Sequence, residues 1–297
     1  FIGTKTFADY DLKEIAEYID WTPFFRTWEL AGKYPQILED EVVGNEAKRL
    51  FADAQQMLQQ IIAEKWLEAK AVIGIWEANT ENDDTIKVYE KNNPIGQLYQ
   101  LRQQSKKAAG VPNISLADFI APKESGIKDY IGGFAVTTGI GIEKHIARFE
   151  ADHDDYHSIM LKALADRLAE AFAELMHQKV RKEYWGYASN ETLKNDDLIK
   201  EKYVGIRPAP GYPACPNHTL KTDLFQLLDA TNKTGIELTE SLAMYPTAAV
   251  SGMYFAHPES KYFGVGKIEK DQLEAYAEAN KLDLDVAERW LGSVLGY

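Results

Sequence analysis

The fold class predicted for this 297-residue chain is α+β, with helices flanking an antiparallel sheet. Three observations predict it. From about Asp155 to Tyr184, apolar residues recur at helical spacing (Ile159, Leu161, Leu164, Leu168, Phe172, Leu175, Val180), a face broad enough for a central buried helix. Short β-rich runs lie at Ala71–Trp76 and Thr85–Tyr89, with turn-prone Asn79–Asp84 between them, and further runs are expected at 130–138, 236–243, 249–256 and 262–268. Helices and strands follow one another irregularly, so a parallel βαβ sheet is not expected. A Rossmann unit is also absent: Gly132, Gly133, Gly139 and Gly141 lack the Gly-x-Gly-x-x-Gly spacing.

The remaining elements follow from local signals. A short helix is expected at 11–18 and another from Thr22, where Thr22 would cap and Pro23 suits the first position. Gly32 should stop it. Residues 45–66 carry a stripe of Leu50, Ala54, Met57, Leu58, Ile61 and Ile62, again helical. Two helices near Lys270–Ala279 and Asp285–Leu291 close the chain. No repeat, low-complexity tract or Gly/Ser linker divides it, so residues 1–297 read as one domain. The first residue is Phe1 rather than Met, which points to a piece of a longer polypeptide.

Composition narrows the function classes. No run reaches the roughly 18 apolar residues of a membrane span, and no signal-peptide pattern opens the chain. The single Cys215 excludes an internal disulfide and fits a reducing cytoplasm. A net charge of −13 would repel nucleic acid. His153 and His157, with Asp154 between them, have metal-compatible spacing and could found a hydrolase. However, no His-Glu-x-x-His accompanies them, and Asp154 or Asp155 reads more simply as a helix cap. Cys215 and His218 sit three apart, where packing is the default over a thiol–imidazole pair.

The most informative stretch is Gly205-Ile-Arg-Pro-Ala-Pro-Gly-Tyr-Pro-Ala-Cys-Pro-Asn-His-Thr219. Its four prolines fix φ and remove N–H donors, so it is neither helix nor central strand. Such a stiff loop loses little entropy on folding and can hold ligand-binding groups rigidly. Arg207 suits a carboxylate, because guanidinium forms two parallel hydrogen bonds. Tyr212 suits a flat or cationic group, and Ala209 and Gly211 leave the backbone accessible. On the long helix, Glu170 lies between Ala169 and Ala171 and needs a partner if buried. Asp166, one turn earlier, projects on the same face.

This loop resembles the S-adenosylmethionine (AdoMet) signature of the C-terminal activation domain of cobalamin-dependent methionine synthase. Asp20-Trp-Thr-Pro-Phe-Phe25, Leu30-Ala-Gly-Lys-Tyr-Pro35, Asp118-Phe-Ile-Ala-Pro122, Asp129-Tyr-Ile-Gly132, His153-Asp-Asp-Tyr156, Ala163–Phe172 and Val250-Ser-Gly252 resemble the same domain, in order. The resemblance implies a single C-shaped α+β domain with a curved sheet. It implies AdoMet contacts from Asp20, Glu170, Arg207, Ala209, Gly211, Tyr212, Tyr262 and Phe263, and a contact of Asp166 with the cobalamin module. The family often has a second tyrosine where this chain has Phe263, so any hydroxyl contact from that position is lost.

The implied function is reductive reactivation: an electron from flavodoxin or a related flavoprotein reduces the oxidised cobalamin, which then takes the methyl group of AdoMet. Cobalamin and zinc belong to other modules of the full enzyme. The domain would need no base or nucleophile of its own, only orientation. Flavodoxin is usually acidic, so docking would require a local basic patch; Lys179, Arg181 and Lys182 are the candidates. An alternative is an interaction module that docks both partners without binding AdoMet.

Overall fold

The computed structural model describes residues 1–297. Eight strands form: β1 Gly3–Phe7, β2 Glu68–Glu81, β3 Thr85–Glu90, β4 Asn93–Tyr99, β5 Asp129–Ile140, β6 Glu237–Leu238, β7 Met244–Tyr245 and β8 Ala249–Tyr254. The helices are α1 Leu12–Ala16, α2 Thr22–Thr27, α3 Gly44–Ala63, α4 Ile142–Ala151, α5 Asp155–Lys179, α6 Asn195–Ile199, α7 Leu220–Leu228, α8 Ala230–Thr234, α9 Lys270–Asn280 and α10 Leu284–Leu291. The main sheet is open, with every strand pair antiparallel, in the order β4-β3-β2-β5-β8. β2 is long enough to share one edge between two partners. Its first half pairs β1 and its second half pairs β3, while β5 runs along the other edge.

The sheet is buried on both faces, and strand alternation sorts the side chains between them. Ala71 and Ile73 of β2, Phe134 and Val136 of β5 and Tyr254 of β8 join the larger core with α5 and the helices outside it. Val72 and Trp76, Ile131 and Ala135, and Met253 face the second core, with Leu224 and Phe225 of α7. A third, smaller cluster packs α9 and α10 near Tyr99 and Leu101. α5 is buried along most of its length between the sheet and the α1–α3 layer. The Thr138 hydroxyl donates to the Ala165 carbonyl at 2.8 Å, tying α5 to β5.

Several expectations need correction. α2 ends at Thr27, before Gly32, because Glu29 adopts a left-handed φ of 59° and the Leu30 N–H turns back to the Phe25 carbonyl. Thr22 is the first helical residue rather than the cap; Asp20 accepts from its N–H at 3.0 Å. The strand expected at 236–243 shrinks to Glu237–Leu238, paired with Met244–Tyr245. Residues 262–268 form no strand, although the Val265 N–H donates to the Pro213 carbonyl. β1, β4, α4 and α7 were not anticipated. β1 and β4 carry few apolar residues, whereas Ile142, Ile146 and Phe149 of α4 and Leu220, Leu224 and Leu228 of α7 do recur at helical spacing, over runs of only about two or three turns.

The proposed basic patch is also overturned. Beyond Lys179 the helix widens into a π turn at Val180–Tyr184, which carries Arg181 inward. Arg181 is fully buried and pairs with Glu191 through two hydrogen bonds of 2.8 Å. Lys179 pairs with Glu14 at 3.2 Å. Only Lys182 keeps the role expected of all three, and one lysine is not a patch.

Candidate functional site

The proline-rich loop is fastened to the open edge of β8. Ile206 and Phe255 exchange both backbone hydrogen bonds at 3.0 Å, and the Met253 N–H donates to the Pro208 carbonyl at 2.9 Å. Gly252 makes this approach possible: a Cβ there would lie 2.7 Å from the Pro208 oxygen. Within the loop, the Tyr212 N–H returns to Ala209, the Gly211 N–H to Cys215 and the Cys215 N–H to Tyr212. Gly211 has φ +97°, and a Cβ there would meet the His218 ring at 2.3 Å, so only glycine fits.

A cavity of about 510 Å³ opens between this loop, α5 and the sheet. Glu170 comes from α5, Phe134 from β5 and Val250 from β8; Arg207, Ala209 and Tyr212 come from the loop, Tyr262 and Phe263 from the segment after β8. Six of the eight predicted ligand residues thus meet in one place. Gly211 does not line the cavity; it shapes the loop. Asp20 lines a neighbouring groove with Trp21, Arg26 and Lys200, while Lys200's successor Glu201 lines the cavity itself. The Asp20 carboxylate accepts from the Thr22 N–H in a turn just ahead of α2, a role that a bare Asp-Trp-Thr-Pro sequence implies. Asp166 is exposed, pairs with Arg167 and lies outside the cavity.

Arg207 is the best-supported side chain of the site. Its Nη1 lies 2.8 Å from Glu174 Oε2, 2.9 Å from the Tyr203 hydroxyl and 3.3 Å from His177 Nδ1. Its backbone N–H donates to the Tyr262 hydroxyl at 3.1 Å. Nε and Nη2 make no bond within the protein and keep access to solvent, and the side chain is 17% exposed. His177 is fully buried, and burial together with Arg181 and Arg207 holds it well below its usual pKa. It is therefore neutral and able to accept from Arg207.

Burial pushes the Glu170 carboxyl up, against the pull of Arg167 and Arg207. It pushes Glu174 up as well, opposed by Arg207 and Arg181. Arg207, faced by Glu174, holds its proton more firmly still and remains the permanent charge of the site.

Glu174, His177, Tyr203 and Glu201 were missed by sequence reasoning. The signal available was Glu174 and His177 inside an otherwise apolar run, Ala171-Phe-Ala-Glu-Leu-Met-His177, where each needs a partner. The rival sites look different. Asp154 caps α5, accepting from the His157 N–H at 3.1 Å, and its other oxygen takes the His157 ring at 2.6 Å. No three His, Cys, Asp or Glu side chains converge to hold a metal. Burial pushes the Cys215 thiol up to about 12, which leaves it inert at neutral pH.

Residues 11–281 match the family model described as vitamin B12 dependent methionine synthase, activation domain. The chain belongs to that family. A crystal structure of the MetH reactivation domain bound to AdoHcy is 54% identical and superposes with a TM-score of 0.97, covering all of this activation domain and 91% of that chain. The α+β fold with an open antiparallel sheet is shared with it. In this activation domain no helix is long and apolar enough to cross a membrane.

Proposed function

We propose that this activation domain binds AdoMet in the cavity beneath the proline-rich loop and presents its methyl group to the cobalamin module of the same polypeptide. One observation carries the reading: Arg207 lines the cavity, its Nη1 is held from inside the protein, and its Nε–Nη2 edge makes no bond within the protein. That edge is the bidentate partner of a carboxylate. The rest of the donor set fits the rest of AdoMet. Glu170 answers the amine or a hydroxyl, and Phe134, Val250 and Phe263 supply apolar surface. Tyr212 and Tyr262 supply ring faces for a cation. The Ala209 N–H has no partner within the protein and can donate to the adenine. The volume lies in the range of small-molecule sites. AdoHcy, which the related reactivation domain binds, shares the same carboxylate and adenosine.

Cobalamin supplies the nucleophile when bound on its own module, so this chain's residues need only bind and orient. Asp20 and Gly211 enter the reading differently from the lining residues, the first by leaving its turn bond to the Thr22 N–H and the second through loop shape. Exposed Asp166 is proposed to face the cobalamin module. The electron donor is proposed to be flavodoxin or a related flavoprotein, working in the cytoplasm, with zinc held elsewhere in the full enzyme.

Titration calorimetry with AdoMet tests the assignment. Arg207→Ala is expected to weaken binding by about 1.5–3 kcal/mol, the range for hydrogen bonds to a charged group. No heat with the parent chain would leave only an interaction module; unchanged affinity in the variant would remove Arg207 from the site.

A further inference from the structure

We infer that Glu174 is a positioning residue for the ligand carboxylate: it pins Nη1 of Arg207 so that the Nε–Nη2 edge alone faces the cavity. The inference rests on the AdoMet reading above and adds a residue that touches no ligand. Glu174 sits one turn beyond Glu170 on α5, only 7% exposed, and does not line the cavity. Its Oε2 takes Nη1 at 2.8 Å. Tyr203 and His177 crowd the same nitrogen, so its two hydrogens face three acceptors and the group cannot swing outward without losing all of them.

The second observation is cost. Glu174 Oε1 is buried with no partner in the protein, as is His177 Nε2. A half-satisfied buried carboxylate is a poor stabiliser, and an apolar residue of similar size would serve packing as well or better. What the carboxylate supplies is direction. A free arginine can meet a carboxylate side-on through Nε and Nη2 or end-on through Nη1 and Nη2. With Nη1 occupied, the side-on geometry is the one that remains, and it sets where the amino-acid end of the ligand, and hence its sulfur, must lie.

Two ligands separate positioning from mere structural support: AdoMet, and 5′-methylthioadenosine, which keeps the adenosine and a neutral thioether sulfur but lacks the amino-acid end with its carboxylate. Calorimetry should show Glu174→Gln and Glu174→Ala weakening AdoMet about tenfold while methylthioadenosine stays within about twofold. In an Arg207→Ala background the Glu174 change should have no further effect, because the two act as one unit.

Equal weakening of both ligands, or an unaltered AdoMet affinity in the Glu174 variants, overturns the inference. If Arg207→Ala itself leaves AdoMet unaffected, the carboxylate reading falls instead. Should both Glu174 variants fail to fold, Tyr203→Phe removes another acceptor of the same nitrogen. It is expected to show a smaller loss, again confined to AdoMet, and a loss for neither or both ligands would count against the clamp.

Discussion

At the scale of single residues, the site is an arrangement of charge around a partly buried cavity. Arg207 is permanently charged, His177 is kept neutral, and Glu170 is poised by burial above the ordinary carboxylate range. Glu170 therefore gives the site a titration. Its raised pKa means that the ligand-free fold favours the protonated form, and the associated stability is lost as pH rises through that pKa. A bound amine would pull the pKa back down and release a proton. AdoMet affinity should thus increase as pH rises through the raised Glu170 pKa, and binding heat there should depend on the buffer's ionisation enthalpy. Glu170→Gln should abolish both effects. Heats that are independent of buffer in the parent chain would show that Glu170 stays out of the binding step. Much of this was legible beforehand, because Arg207 and Glu170 advertise themselves by their neighbours: prolines around one, alanines around the other. Glu174 was not, since its partner lies on another element.

Elements carry these residues to their places, and local rules explain some elements better than others. α5 declares itself by an apolar period that continues for seven turns. α7 is easily overlooked because its period, Leu220, Leu224 and Leu228, lasts only nine residues that include Lys221, Thr222 and Asp223, and it packs against β4, β5, β2 and β8. That packing has a consequence. Asp223 is half-buried with no ion-pair partner, and burial pushes its carboxyl up to about 6. The folded-state pKa exceeds the unfolded one, so the stability present below the usual carboxylate range is lost as pH rises through about 6. Asp223→Asn should therefore melt at a higher temperature than the parent at pH 7 to 8, with the gap closing toward about pH 4. A gap that persists at low pH, measured by scanning calorimetry, would mean that the side chain acts through packing rather than charge. The π turn after α5 belongs to this scale as well. Sequence periodicity placed Arg181 on a surface, and one widened turn buried it.

Across the whole molecule, α5 and the sheet are shared by everything that builds the cavity. Residues lining it come from α5, β5, β8, the turn after α6, the proline-rich loop and the segment after β8. A ligand held there contacts the larger core through Phe134 and Val250 and the second core through the loop. AdoMet at about a hundred times its Kd should then raise the unfolding free energy by about 2.7 kcal/mol in one cooperative transition. Two separated transitions, only one moved by ligand, would show that the cores unfold independently. The net charge of −13 also acts at this scale. With Arg181 buried and Lys179 paired, a basic docking face is not supplied by the end of α5, and the proposed flavoprotein donor would have to contact another part of the surface.

The amino-acid order alone settled the mixed α and antiparallel β class, the long central helix, the rigid loop and the arginine it carries. Each of these follows from forces acting over a few residues: proline's fixed φ, the helical repeat, the shape of guanidinium. Only the folded chain decided that Arg181 turns inward and that Glu174 grips Arg207. Those outcomes depend on which distant segments meet, as when the Arg207 N–H finds the Tyr262 hydroxyl 55 residues away. No local period encodes such a meeting, because burial and pairing are properties of the assembled core.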